Sequence, residues 1–467
     1  MRLRVFLAAA GGLTLAACAA GPAPTIATPP PELPPSFFYE PKGSIKTDLA
    51  ALLPVEDPAY TALATQALAA SPRLDEAAAR IEEARAGADR TEADRFPAIG
   101  ANAAVTGTRT NPSQFGTILP PGVLIDTTRL SYAANVTARW DPDIFGRLRA
   151  QERAALARVD AADASARGVR LALLAEIAAG VIDWRTLEAR EVELRSDLAS
   201  AENLARLAGS RERAGIAPGF DRVRAEGSAA SSRSRLETLA SERARLLGRL
   251  VTLSAQNAAQ VQSALAQKVA APGLAVAPPT LPSELLVNRP DILVAAAELA
   301  AADADLAQAA RRRFPVFDLS ANVGLLAFGL GSLFDSDSLV GSLAASVAAP
   351  LLDFGRIQAE IDGAAAAKKG AFARYRSTIY TALGEAEANY ALVAAADREA
   401  TAAGEEAQSL ARAARLADTR YRAGLADFLT VLEARRAADA SGERAAAAFG
   451  RARRARVLLW QALGGGG

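Results

Sequence analysis

The chain has 467 residues, a formal net charge of +1, one cysteine and no histidine. The lack of histidine excludes imidazole bases, Ser-His-Asp triads and the commonest zinc ligand, and a single cysteine excludes internal disulfides and paired-cysteine sites. With 53 Lys and Arg against 52 Asp and Glu, the chain lacks the charge excess of a nucleic-acid-binding protein. Carboxylate-only catalysis stays open, but the acidic residues are scattered along helical faces. We therefore expect no catalytic residues, no metal, no cofactor and no nucleic-acid partner.

The N-terminus has the pattern of a bacterial export signal. Two arginines precede the apolar run Val5 to Ala17, which at about 13 residues is too short to span a bilayer. The run ends in Leu15-Ala-Ala-Cys18, which resembles the lipoprotein box, where the cysteine carries the lipid. An ordinary signal peptide with a chance cysteine is the alternative. We expect a signal peptide at 1–17, a covalent lipid such as palmitate on Cys18, and a proline-rich tether at 18–56.

A long helix is predicted from 145 to 213, which contains no proline and is rich in alanine and charge. At about 1.5 Å per residue it would be on the order of 100 Å long. Its charges exclude a membrane span. Four apolar residues recur at helical spacing and form one apolar seam, Leu174, Ile177, Val181 and Trp184. We therefore expect long packed helices at 145–213, 219–268, 354–423 and 425–462.

Short motifs recur in the same order, which indicates a duplicated unit of roughly 210 residues. The pairs are Arg95-Phe-Pro97 with Arg313-Phe-Pro315, Asp143-Ile-Phe-Gly-Arg147 with Asp353-Phe-Gly-Arg356, and Arg213-Ala-Gly215 with Arg422-Ala-Gly424. We place the first repeat at 57–280 and the second at 281–463. Residues 464–467 are four glycines with no side chains to pack, so we expect a disordered tail.

Each repeat contains a predicted strand pair, 97–109 with 127–141 and 315–328 with 339–350, in which apolar and polar residues alternate. Runs of about 8 to 12 residues suit tilted membrane-spanning strands. A soluble sandwich is the alternative, but the pairs lie between very long helices and their turns are rich in Gly, Pro, Ser and Asp. Four strands in lipid would leave two unpaired edges, so a closed barrel needs other chains.

Taken together, these motifs resemble the TolC-type outer-membrane factors, specifically the lipoprotein branch that serves drug-efflux pumps. The second repeat adds Arg289-Pro-Asp-Ile292, Arg420-Tyr-Arg-Ala-Gly424 and Leu429-Thr-Val-Leu-Glu433-Ala to the likeness. The resemblance implies a mixed fold, a membrane β-barrel plus a long α-helical coiled-coil barrel, in a homotrimer with four strands per protomer and twelve in the barrel.

The resemblance also implies a function and partners. The trimer would be a passive conduit in contact with outer-membrane lipid. It would export small molecules such as drugs from an inner-membrane resistance-nodulation-division transporter, to which a periplasmic adaptor joins it. Two alternatives stay open: a TolC-like exit duct for type I protein secretion, and a periplasmic coiled-coil lipoprotein without a pore.

By the same resemblance, Leu429 and Glu433 line the periplasmic aperture as an apolar and an acidic ring. They lie four residues apart, on one face of a helix. The family usually has aspartate where this chain has Glu433, which puts the geometry of the ring in doubt. The alternative is that Leu429 packs in a seam and Glu433 pairs with Arg436 on the surface.

Four residues near this position, Asp418, Arg420, Tyr421 and Arg422, are candidates for tethering the gating helices closed, with ordinary surface pairing as the alternative. Gly215 and Gly424 are predicted turns after helices and candidate adaptor contacts. The first repeat has Arg224 at the position that corresponds to Glu433, so we expect the two repeats to differ in gating.

Overall fold

The structure is a computed structural model that describes residues 25–30, 32–41, 48–111, 128–267 and 273–465. The predicted signal peptide and the lipidation site at Cys18 lie outside these residues. The chain divides into two compact units, each described here by itself. One contains Glu82–Asp160 and Ala296–Ala373, and the other contains Pro30–Ile81, Ala161–Ala295 and Arg374–Gly467. We call the first the sheet unit and the second the helical unit.

The same order of elements occurs twice. The first repeat comprises α1 (Pro58–Ala70), α2 (Pro72–Ala93), β1 (Ala98–Arg109), β2 (Thr128–Trp140), α3 (Arg147–Arg213), α4 (Gly219–Ser254) and α5 (Ala258–Leu265). The second comprises a helical turn at Leu285–Asn288, then α6 (Pro290–Arg311), β3 (Val316–Ala327), β4 (Leu339–Ala348), α7 (Arg356–Arg422) and α8 (Phe428–Ala462). Helices α3 and α7 both have 67 residues, and α2 and α6 both have 22. These equal lengths support the duplication.

The recurring Asp-Phe-Gly-Arg motif caps the long helices. Both carboxylate oxygens of Asp143 accept hydrogen bonds from the start of α3, at Leu148 N (2.8 Å) and Arg149 N (2.9 Å). Asp353 accepts in the same way from Ile357 N (2.8 Å) at the start of α7. Because the first backbone N–H groups of a helix lack internal partners, these aspartates stabilise each helix at its N-terminus.

Two predicted boundaries are wrong. The helix expected at 219–268 is interrupted because Ala255 has a left-handed φ of 53° and Asn257 begins α5 with a capping box that includes Gln260. Gly464 and Gly465, expected in a disordered tail, instead end α8. Their N–H groups donate to Gln461 O (3.1 Å) and Trp460 O (3.0 Å), because glycine adopts the positive φ that this cap requires.

The four strands form one antiparallel sheet in the order β1-β2-β3-β4. The register aligns Ala101 with Val136 and Val323 on one face, and Asn102 with Asn135 on the other. The predicted alternation is therefore confirmed, since apolar residues of successive strands share a face. That face is uncovered: Ile99 is 74% exposed and Leu343 is 84% exposed. In the part of the chain that the structure describes, β1 and β4 each pair along one edge only.

A large apolar core lies in the helical unit. Of the predicted seam of α3, Ile177, Val181 and Trp184 are buried, and Leu174 is partly buried against them. Ile379 of α7 and Trp460 of α8 belong to the same core. The seam is thus confirmed as a packing surface. Among the described helices, none combines the length and the apolar character that crossing a membrane would require.

Part of the proline-rich segment packs on α7. Phe37 is buried with its ring 5.4 Å from that of Tyr390, and Phe38 N donates to Glu387 Oε1 at 2.8 Å. Phe38 itself is 84% exposed. The segment therefore lies over the helical unit and is held by one buried ring and a carboxylate.

Candidate functional site

Two chain reversals follow the long helices, and we call Ala214–Pro218 the first turn and Ala423–Asp427 the second turn. Both glycines are left-handed, with φ of 72° at Gly215 and 76° at Gly424. The residue after each glycine donates its N–H back into the helix, Ile216 to Arg211 O (3.0 Å) and Leu425 to Arg420 O (2.8 Å). The two turns therefore share one hydrogen-bonding pattern, a glycine cap of the Schellman type.

The two turns lie at the same end of the helical unit because a small apolar cluster joins the helices that flank them. The cluster comprises Leu204 and Ala208 of α3, Ala225 of α4, Ala417 and Tyr421 of α7, and Phe428, Val431 and Leu432 of α8. The rings of Tyr421 and Phe428 meet edge to face at 6.2 Å. The site is thus built from both repeats.

Tyr421, one of the predicted tethering residues, is buried and linked to the first repeat. The Arg211 guanidinium lies 4.1 Å from the centre of its ring and also donates to Tyr421 O at 3.1 Å. A cation stacked on an aromatic face and a hydrogen bond to the same residue both favour this contact between α3 and α7. The sequence analysis did not single out Arg211, since its partner is 210 positions away.

Asp418 links α7 to α8. Its carboxylate pairs with Arg422 Nε on its own helix (2.9 Å) and with Arg435 on α8 (2.8 Å). The Asp418 and Arg435 side chains are each only 19% exposed, so this pair is better shielded than most surface ion pairs. Arg420 is exposed, and within the described residues its guanidinium takes part in no ion pair. Of the four candidate tethers, the structure therefore brings together Asp418 and Arg422 and adds Arg435.

Leu429 and Glu433 lie on the solvent side of the first turns of α8. Helix α8 begins at Phe428 rather than 425, because Asp427 accepts a hydrogen bond from Thr430 N at 2.7 Å and caps it. Leu429 is 39% exposed and Glu433 is exposed, whereas their neighbours Val431 and Leu432 are buried. The seam alternative for Leu429 is thus not favoured. Nor does the structure, over its described ranges, pair Glu433 with Arg436.

The first turn differs chemically from the second. Arg224, which occupies the position equivalent to Glu433, lies with its guanidinium 5.2 Å from the centre of the Phe220 ring. Arg222 pairs with both Glu212 and Glu226 at 2.8 Å. The two turns therefore share a backbone but present opposite charges at equivalent helical positions.

We expect Gly424→Ala to destabilise the second turn locally by about 1 to 2 kcal/mol, because an L-residue is strained in the left-handed region. Space is not limiting, since a Cβ at Gly424 would meet nothing within 4 Å. Hydrogen exchange of the amides around the second turn measures the change. Gly227→Ala in α4 is the matched control: its Cβ also enters open space, and the helical backbone there favours alanine. Equal exchange in the two variants would contradict this account of the turn.

An antiparallel sheet with an uncovered apolar face, and long helices that end in paired turns, are features expected of a chain of an outer-membrane channel. Nothing in the described residues resembles a metal centre. The chain belongs to the outer membrane efflux protein family, whose model matches residues 63–256 and 281–465, one segment in each repeat. The resemblance to TolC-type outer-membrane factors is thereby confirmed, and the protein is an outer-membrane component of an efflux pump rather than an enzyme.

Characterised relatives cover most of the chain. It is 31% identical over 412 residues to the pyoverdine export outer membrane protein OpmQ of Pseudomonas aeruginosa, covering 88% of this chain and 85% of OpmQ. It is also 31% identical over 395 residues to the outer membrane protein OprJ of the same organism, covering 83% and 80%. Among solved structures, the outer-membrane channel OprN has a TM-score of 0.86 at 26% identity, covering 96% of this chain and 99% of OprN.

Proposed function

We propose that three copies of the chain form one closed channel, in which three four-stranded sheets make a barrel of twelve strands. The observation that carries the proposal is the sheet itself, with its uncovered apolar face and the outer edges of β1 and β4. Unpaired backbone groups at such edges cost several kcal/mol each in lipid. A barrel closed by neighbouring copies removes both edges.

The two faces of the sheet then have different roles. The face of Ile99, Val136, Val323 and Leu343 would contact outer-membrane lipid, and the face of Asn102 and Asn135 would line a water-filled lumen. A lumen of this kind needs no specific pocket. A passive conduit of small molecules therefore fits the chain better than a selective binding protein.

The helical unit would carry the substrate path through the periplasm and meet the rest of the pump at the two turns. Ile216 and Leu425, which follow Gly215 and Gly424, are 74% and 72% exposed. Exposed apolar side chains at both turns suit docking of a periplasmic adaptor, which would join the channel to a resistance-nodulation-division transporter. The relatives' names, which include pyoverdine export and toluene efflux, support small organic molecules as cargo.

The second turn would hold the aperture. Leu429 would form the apolar ring and Glu433 the acidic ring, each in three copies, which narrows the pore and favours cations. The Asp418 pair with Arg435 and the packing of the buried Tyr421 on Phe428 would hold α7 and α8 in the closed arrangement, and Arg422 would support Asp418 from its own helix. A lipid on Cys18 would add an anchor to the barrel, and mass spectrometry of the purified protein tests it.

We expect Leu343→Arg to reduce the heat-resistant trimer in outer membranes strongly, since an arginine on the lipid face of a barrel costs about 2 to 4 kcal/mol near the bilayer midplane. Ser342→Arg, on the neighbouring residue of β4 but on the polar face, should leave the trimer intact. Gel electrophoresis of unheated and heated membranes measures both. Equal loss in both variants would show that the faces are wrongly assigned, and a monomer in the unsubstituted protein would refute the trimer.

A further inference from the structure

Two carboxyl groups meet inside the helical unit, on the helix that carries Leu429 and Glu433. Arg235 of α4 pairs with both Asp197 of α3 and Glu443 of α8, which brings the face of α8 that carries the half-buried Asp439 next to Asp197, itself only 5% exposed. Two neighbouring carboxyl groups that are partly withdrawn from water repel each other when both are ionised. We call Asp197 and Asp439 the acidic pair, in which this repulsion favours one retained proton.

The surroundings assign that proton to Asp439. Asp197 Oδ2 already accepts hydrogen bonds from Ser232 Oγ (2.5 Å) and from the Arg235 guanidinium (2.6 Å), both on α4. These donors already satisfy Asp197 Oδ2. Burial, the hydrogen bond to Asp197 and the charge of Asp197 raise the pKa of Asp439 to about 8, while Arg435 and Arg235 act in the opposite direction.

Arg435 connects the acidic pair to the second turn. It lies one helical turn before Asp439 on α8, so the two side chains are neighbours, and it pairs with Asp418 of α7 at 2.8 Å. Its Nε is buried and has no hydrogen-bond partner among the described residues. Arg435 therefore has an unused N–H donor beside Asp439. The carboxyl group of Asp439 becomes negatively charged when it loses its proton.

Further charged groups beside the acidic pair come from α3, α4 and α8. On α3, Glu193 lies one helical turn before Asp197, with its carboxylate next to Gly442 of α8. Arg235 reaches from Asp197 to Glu443 Oε2 at 3.5 Å, and Arg235 Nε and Glu443 Oε1 are buried without partners in the described part of the chain. Since buried polar atoms without partners are costly, the cluster is not fully satisfied in its protonated form. Movement of one arginine side chain would give some of these buried atoms a hydrogen-bond partner.

We propose that the acidic pair holds one proton in the closed channel and that loss of this proton draws Arg435 from Asp418 to Asp439. The contact between α7 and α8 beside the second turn then weakens, and the aperture opens more often. The inference rests on the proposed aperture at Leu429 and Glu433 and adds to it a dependence on pH. Alkaline conditions loosen the channel, and neutral conditions keep it closed.

The direction of the pH effect follows from the linkage between protonation of Asp439 and stability of the closed arrangement. The pKa of Asp439 lies above its ordinary value of 3.8, so the stability that its proton contributes is fully present below that value. This stability is lost as the pH rises through about 8. Because the chain has no histidine, few other side chains titrate between pH 6 and 9, and a transition there points to a perturbed group.

The test is single-channel conductance of the purified trimer in a planar bilayer between pH 6.5 and 9.5. We expect the fraction of time that the unsubstituted channel is open to rise at least about threefold as the pH passes 8. A change of this size in the equilibrium is what loss of one partly shielded ion pair produces. Asp439→Asn cannot ionise and should stay closed throughout. Asp418→Asn, which removes the competing acceptor, should be open more often at every pH and show no transition.

A further variant separates a proton-dependent role from a structural one. Asp197→Asn removes the charge beside Asp439 and should move the transition to lower pH, an effect that simple loss of packing would not produce. Glu406→Gln is the control, because Glu406 forms an exposed pair with Arg444 in the same unit. It should keep the unsubstituted pH profile.

The outcomes distinguish the two proposals. Pores without any transition between pH 6.5 and 9.5, or a transition that persists in Asp439→Asn, would overturn the proton-dependent contact and leave the channel in place. A folded trimer that forms no pores at any pH would overturn the proposed channel and, with it, this inference.

Discussion

Replacing Leu429 and Glu433 together by alanine is expected to raise the single-channel conductance of the purified protein about tenfold, because both rings of the proposed aperture would be removed at once. Both side chains are exposed on α8, so their loss leaves the apolar cluster around Tyr421 and Phe428 in place. The preference for cations should fall as well, since in our proposal Glu433 supplies the acidic ring. Planar-bilayer recordings with a salt gradient measure both quantities.

The duplication supplies a matched control. Phe220→Ala with Arg224→Ala changes the equivalent positions of the first repeat, at the same distance from its glycine turn. These side chains stack on each other at 5.2 Å, and we assign them no part of the aperture. Their removal should change conductance little. If the control raises conductance as much as the first double variant, both repeats form the aperture; if neither does, it lies elsewhere.

Loss of Arg289 should have the largest effect on stability, with a cost of about 2 to 3 kcal/mol per protomer. Arg289 is 7% exposed and donates to both oxygens of Asp291 (3.0 and 2.7 Å), to Glu385 (2.7 Å) and to Ala462 O (2.8 Å). It therefore joins the start of α6 to α7 and to the last turn of α8. Arg289→Ala would remove these bonds and leave a helix-terminal carbonyl without its donor.

Thermal dissociation of the proposed trimer in detergent measures this effect as a rate, since unfolding of such assemblies is often irreversible. Arg444→Ala is the control. Arg444 pairs with Glu406, and the two side chains are 55% and 46% exposed. Loss of this exposed pair should lower the stability by under about 0.5 kcal/mol. Arg289→Lys keeps the charge but not the bidentate contact with Asp291. Its dissociation rate should therefore be closer to that of Arg289→Ala than to that of the unsubstituted protein. Equal dissociation rates for Arg289→Ala and Arg444→Ala would contradict the assignment.

Local chemistry made much of the fold predictable. Two-residue alternation identifies the strands and their faces, because the side-chain period of a strand is set by its backbone. The absence of proline allows α3 and α7 to run for 67 residues each, and Gly215 and Gly424 end them because glycine tolerates positive φ. The same local rules failed at Asn257, whose capping box divides a helix, and at Gly464 and Gly465, which cap α8.

The sequence by itself therefore determined the repeat, the period of each element and the glycine turns, since each depends on residues that are close together in the chain. Only the tertiary structure decided which side chains meet: Arg211 with Tyr421, Arg435 with Asp418, and Asp197 with Asp439. Such contacts join different helices and depend on how the helices pack. Charged residues are frequent on every helix of this chain, so spacing alone does not distinguish a buried pair from a solvated one.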